Sequence, residues 1–175
     1  MALLRVGVYP GTFDPITRGH MDIVARAASL FDRVVVGVYD TPSKSLLFDT
    51  AARVDLARQA LAHLDNVEVR PYKGLTVEFA AGLGVRVLVR GLRAYSDFEN
   101  ELQMAHQNRQ MRPTIETVCL MTSLEYSFLS STLLREIARF GGEVSGLVPE
   151  HVERALRDRF AGEPAIDTIP RHLQS

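Results

Sequence analysis

Five stretches of the chain are apolar almost without interruption: "LLRVGVY" (3–9), "RVVVGVY" (33–39), "NVEVRPY" (66–72), "VRVLVRG" (85–91) and "TIETVCLM" (114–121). Several are nearly continuous in Val, Leu and Ile, the pattern of strands buried on both faces of a parallel sheet. Between them the period lengthens. Over 18–31, Ile23, Ala27 and Leu30 fall on one stripe, with Val24, Ala28 and Phe31 beside it, and an amphipathic helix is predicted. Over 51–64, Val54, Leu61 and Leu64 share a face, and Thr50 offers a cap. A short helix over 75–82, ended by Gly82 or Gly84, and a longer one over 96–111 complete the alternation. Strand and helix in turn predict an α/β fold: a doubly wound, Rossmann-like, five-stranded and mostly parallel sheet with right-handed crossovers. After the fifth strand the rhythm changes to C-terminal helices. "SSTLLREIARFGG" opens on serine and closes on Gly141-Gly142, and "VPEHVERALRDRF" carries Pro149 in its first turn. The expected division is one domain over 1–161 and a loose tail over 162–175, where two prolines stand among residues of no clear period.

Composition adds exclusions. At 175 residues, with 46% hydrophobic and 23% charged positions, the chain fits a soluble single domain with a sizeable core. A net charge of −1 offers no global attraction to nucleic acid or an anionic membrane, so any anion must be held by local groups. No apolar stretch approaches the roughly 20 residues of a membrane span, and no basic-then-apolar secretory opening is present. Cys119, the single cysteine, is expected to be a buried, inert thiol in "TVCLM". A reducing cytoplasm is the expected location.

Candidate chemistry gathers where predicted strands end, the place where open parallel sheets collect ligands. After the first strand comes "GTFDPITRGH" (11–20). Gly11 permits close backbone approach, Thr12 supplies a hydroxyl, Pro15 stiffens the loop, and Thr17 can cap a helix whose first turn holds Gly19-His20. Helix N–H groups favour a phosphate there and disfavour extra charge on His20, which would then act as a hydrogen-bond donor; a histidine merely packed at a helix start is the alternative. There is no Lys-Ser/Thr of a P-loop and no G-x-G-x-x-G fingerprint. After the fourth strand Arg90 and Arg93 bracket Gly91, suited to phosphate oxygens or to surface ion pairs, with Glu101 in the next helix. After the fifth, Ser130, Ser131 and Thr132 open a helix behind Tyr126-Ser127, more hydroxyls than one cap requires. After the second, Lys44 in "TPSKSLLF" is either a ligand to an anion or simply solvated.

"GTFDPITRGH" resembles the T/H-x-G-H signature of the nucleotidyltransferase superfamily. "YPGTFDPITRGH", "PSK", "RGLRAYSDFENELQMAHQNR", "EYSFLSST" and "GGEVSGLVP" together resemble the bacterial phosphopantetheine adenylyltransferases in order and spacing, from residue 4 to about residue 160. Ser45, Asn100, Leu129 and Glu143 depart from the usual family residues. The resemblance implies reversible adenylyl transfer from ATP to 4′-phosphopantetheine, giving dephospho-coenzyme A and pyrophosphate in coenzyme A synthesis. It implies that His20 stabilises the transition state, with Lys44 and Arg93 also catalytic. ATP would be bound by Thr12, Phe13, His20, Gly91, Leu92, Arg93, Glu101, Tyr126, Ser127, Phe128, Leu129, Ser130, Ser131 and Thr132. Phosphopantetheine would be bound by Thr12, Lys44, Thr76 and Arg90. The resemblance further implies Mg²⁺ held by the ATP phosphates rather than by protein side chains, a homohexamer, and coenzyme A as an inhibitor in the same pocket, with no nucleic-acid or membrane partner. The chemistry itself asks for no base, because the attacking phosphate is already anionic; direct in-line attack needs positioning and charge stabilisation, without a covalent intermediate. Rival expectations are another acceptor on the same fold, such as nicotinamide mononucleotide or, with CTP, glycerol 3-phosphate, and a non-catalytic nucleotide-binding module.

Overall fold

Val34, Val35, Val36 and Val38 are wholly buried because β2 (Arg33–Tyr39) runs inside a sheet covered on both faces. The computed structural model describes residues 4–42 and 45–161. Within them β1 (Val6–Gly11), β2, β3 (Val67–Tyr72), β4 (Val87–Leu92) and β5 (Glu116–Met121) form one five-stranded sheet in the order β3-β2-β1-β4-β5. Every neighbouring pair is parallel. The connecting helices are α1 (Arg18–Leu30), α2 (Thr50–Leu61), α3 (Thr76–Gly82) and α4 (Tyr95–Met111), followed by α5 (Ser131–Arg139) and α6 (Glu150–Phe160). One core joins Ile23 and Val24 of α1, Ala57 and Leu61 of α2, Leu134 of α5 and Leu156 of α6 to Val34, Val36 and Val38. A second, on the opposite face, packs Val77 and Ala80 of α3 on Val8, Val35 and Leu88. Chain direction across the sheet reverses at β1, so right-handed crossovers place helices on both faces. The doubly wound expectation holds, with the sheet parallel throughout.

The switch point lies between β1 and β4, and there the sheet opens. β1 stays paired with β2 as far as Gly11, and β4 with β5 as far as Met121. Between β1 and β4, pairing stops at Val8–Leu88. The two central strands therefore part toward their carboxyl ends. Pro10, two residues on, has no N–H to offer a ladder, and its carbonyl accepts instead from Arg90 Nη1 at 2.9 Å.

Several expectations need correction. The cap of α2 is Asp49, whose carboxylate accepts from the Ala52 N–H at 2.8 Å; Thr50 is the first helical residue, and its hydroxyl donates to Asp40. Pro149 precedes α6 as its cap residue rather than lying in its first turn. Leu30 is half-exposed, because Phe31 rather than Leu30 turns onto the core. Cys119 is exposed, not buried: β5 is an edge strand, and α4 beside it has no buried residue. Residues 162–175, expected as a tail, lie outside the described residues.

Candidate active site

The loop from β1 to α1 is held in an unusual shape. Phe13 has φ +50°, the left-handed region that non-glycine residues avoid at some cost. Its ring offsets this by near-complete burial, edge-on to Tyr9 (centroids 5.5 Å) and to His20 (5.1 Å). The room left by the missing side chain of Gly11 is taken by this ring: a Cβ there would sit 2.8 Å from Phe13 Cζ. Asp14, also buried, accepts from the N–H groups of Leu47 (2.8 Å) and Phe48 (2.9 Å) and pairs with Arg135 of α5. Thr17 then caps α1, its hydroxyl accepting from the His20 N–H at 3.3 Å.

His20 completes a capping box. Its Nδ1 accepts from the Thr17 backbone N–H at 3.0 Å. With Nδ1 accepting within the cap, a neutral ring carries its proton on Nε2, and His20 lines the cavity between β1 and β4.

At the end of β4, Arg90 is clasped by Glu101 of α4, Nε to Oε2 at 2.7 Å and Nη2 to Oε1 at 2.6 Å. Burial disfavours the Arg90 cation, but the Glu101 carboxylate more than offsets this and raises the pKa of Arg90. Tyr9 beside it is pushed up to about 12, by burial against the pull of Arg90, so its phenol stays protonated. Arg93 donates from Nη1 to the Leu129 carbonyl at 2.9 Å and grips Asp97 through its backbone N–H, Nε and Nη2 at 3.0, 3.1 and 3.2 Å. Asp97 is desolvated, yet these bonds from Arg93 prevail and hold its carboxyl below the ordinary value.

The segment between β5 and α5 closes the third side. Asp22 of α1 accepts from Ser123 N–H (3.1 Å) and Oγ (2.9 Å) and so fixes where this segment leaves the sheet. Of the three hydroxyls that open α5, Ser130 is the cap, accepting from Leu133 N–H at 3.1 Å, and Ser131 donates to the Pro15 carbonyl at 2.8 Å. Thr132 faces the cavity.

These groups enclose an open cavity of about 330 Å³ at the carboxyl end of the switch point. It gathers eleven of the residues expected from sequence: Thr12, Phe13, His20, Arg90, Gly91, Arg93, Glu101, Leu129, Ser130, Ser131 and Thr132. Leu92, Tyr126, Ser127 and Phe128 do not line it, and Phe128 is largely exposed. Thr76 does not line it either; it opens α3, where its hydroxyl pairs with Tyr72 Oη at 2.9 Å. Lys44 lies outside the described residues. Sequence reasoning missed Tyr9, Asp14, Asp97 and Arg135, which also line the cavity. Asp14 sits inside the quoted motif and could have been singled out, since a Pro15 turn alone does not need a buried carboxylate.

The cytidylyltransferase-like family profile matches residues 8–137. With helix N-termini and arginines around a switch-point cleft, this places the chain in the class of nucleotidyltransferase-like α/β proteins. Within it, the chain belongs to the phosphopantetheine adenylyltransferase family. It is 57% identical over 159 residues to the phosphopantetheine adenylyltransferase of Gloeobacter violaceus, covering 91% of this chain and 99% of that one. The enzyme of that name from Carboxydothermus hydrogenoformans is 49% identical over 160 residues, 91% and 99% of the two chains. A Vibrio parahaemolyticus protein solved as a candidate nicotinate-nucleotide adenylyltransferase has the same fold, with TM-score 0.67 over 89% of this chain and 93% of that one, at 16% identity.

Proposed function

We propose that the chain transfers the adenylyl group of ATP to 4′-phosphopantetheine, forming dephospho-coenzyme A and pyrophosphate in a reversible reaction. Its family membership supports the substrates, since the relatives carry the name of that reaction. The observation that carries the chemistry is His20: a ring held at Nδ1 by the α1 cap and lining the switch-point cavity.

The acceptor's phosphate is an anion at neutral pH, its second pKa being about 6, so no group need deprotonate it. Its oxygen attacks the α-phosphorus in line, and the bond to the departing pyrophosphate breaks as the new one forms. His20 donates to the α-phosphate oxygen as negative charge accumulates. Arg93, with Gly91, Glu101, Leu129, Ser130, Ser131 and Thr132, holds ATP across the N-terminus of α5. Leu92, Tyr126, Ser127 and Phe128 belong to the segments that frame the nucleotide, and Thr12 and Phe13 lie against it through their backbone. Thr12, Arg90, Lys44 and Thr76 serve the acceptor. Among the described residues no three His, Cys, Asp or Glu side chains are grouped to hold a metal. Asp97 and Glu101 at the cavity are moreover engaged by Arg93 and Arg90. Mg²⁺ would be carried by the ATP phosphates, whose charge it screens.

We propose further that the protein is a cytoplasmic homohexamer whose catalytic domain spans 1–161 and whose cavity also admits coenzyme A as an inhibitor. No helix among the described residues is long and apolar enough to cross a membrane. The test is pyrophosphate release from ATP with 4′-phosphopantetheine or nicotinamide mononucleotide, and from CTP with glycerol 3-phosphate. Release with 4′-phosphopantetheine alone is expected; release with only another acceptor would contradict the proposal.

A further inference from the structure

Arg53 of α2 is fully buried, and among the described residues no carboxylate forms an ion pair with it. A guanidinium has five N–H donors in a rigid fork, and all five are spent here. Nε donates to the Phe48 carbonyl at 3.2 Å, Nη1 to the carbonyls of Thr12 (2.7 Å) and Tyr39 (2.8 Å), and Nη2 to Thr50 Oγ1 at 2.8 Å and, at a long 3.5 Å, to the Asp40 carbonyl. These acceptors come from three segments: the loop after β1, the end of β2, and the entry to α2.

The location gives the bonds a purpose beyond packing. Gly11–Val38 is the last pair of the β1–β2 ladder. Thr12 and Tyr39 come next on the two strands, past the end of backbone pairing, and a single nitrogen of Arg53 takes both of their carbonyls. The guanidinium continues the ladder one step further, to the residue that must hold its place beside the left-handed Phe13. We infer that Arg53 is a positioning residue, which fixes Thr12, and with it the Thr12 hydroxyl, at the acceptor-phosphate end of the cavity through the Thr12 carbonyl. Lysine cannot replace it: three donors on one atom do not span carbonyls on three segments.

This inference rests on the functional reading above, and a double-mutant cycle separates the two. kcat/KM for 4′-phosphopantetheine is measured for wild type, Arg53→Lys, Thr12→Ala and the double variant, each checked for a cooperative melt. Arg53→Lys is expected to lose about tenfold or more, the scale of a small misplacement of a binding group. In the Thr12→Ala background the same change is expected to cost less than about threefold, because the two residues act as one unit. A purely structural arginine would lower the melting temperature and cost the same factor in both backgrounds. Should Arg53→Lys not fold, Thr50→Val, which removes one of the five acceptors, takes its place. About a threefold loss is then expected, confined to the background that retains the Thr12 hydroxyl. Equal losses in both backgrounds, or undiminished kcat/KM in a folded variant, would overturn the inference alone. A wild type inert toward 4′-phosphopantetheine would overturn the functional reading and the inference with it.

Discussion

In the proposed mechanism His20 divides two tasks between two nitrogens: Nδ1 accepts within the helix cap, and Nε2–H donates to the α-phosphate. Two substitutions separate the tasks. His20→Ala should lower kcat by about 10²–10³, the usual effect of losing one transition-state donor, while ATP affinity changes little. It also leaves the Thr17 N–H without its acceptor, at a stability cost of about 0.5–1.5 kcal/mol. His20→Gln places at this position the residue type that completes ordinary capping boxes. Its melting temperature should return toward wild type while turnover stays low. A folded His20→Gln with near-normal kcat would show that the ring does only structural work. Asp97 offers a test by pH. Arg93 holds its folded-state pKa below the ordinary 3.8, so its stabilising contribution is complete above that value and fades as pH falls through the lower, folded one. The melting-temperature gap between wild type and Asp97→Asn should be full at neutral pH and close in acid below 3.8. A gap that widened in acid would contradict the assignment.

Elements tell a similar story of ends and edges. Asp49→Ala removes the side-chain acceptor at the start of α2 and should cost about 1 kcal/mol, read from thermal or urea melts. An unchanged melt would mean that Thr50 can take over the cap. The sequence had pointed to Thr50, because a helix start is legible only to within a residue or so and both Asp49 and Thr50 are good caps. Strand and helix identities were legible throughout, since valine runs and a 3.6 period report burial directly; β2 lies where the pattern put it, at 33–39. Much of the cavity's lining was legible from residue types near strand ends: His20, Arg90, Arg93 and Ser130 all line it. What could not be read was partnership between distant segments. Nothing in the local pattern singles out Arg53, because its partners lie 41, 14 and 5 residues away, at Thr12, Tyr39 and Phe48. Cys119 looked buried because "TVCLM" is apolar, but sequence pattern does not distinguish a central strand from an edge.

At the scale of the whole molecule that edge carries a prediction. α4 leaves Phe98, Leu102, Met104 and Met111 each 42–45% exposed, and Met121 of β5 is 64% exposed. Phe98 and Leu102 stand one turn apart on one face of α4, and exposed apolar surface of this kind is where a protein meets a partner. In the proposed homohexamer that partner is another copy of the chain. Light scattering at micromolar concentration should report six chains, and Leu102→Glu should shift the population toward smaller species; a monomeric wild type would contradict this. The central claim, adenylyl transfer with phosphopantetheine as acceptor, is tested most directly in reverse. Purified protein is mixed with dephospho-coenzyme A, pyrophosphate and Mg²⁺, and the formation of ATP is followed. Reversible in-line transfer predicts ATP and 4′-phosphopantetheine in equal amounts, and near-complete loss of the signal in His20→Ala. No ATP from folded wild-type protein would contradict it.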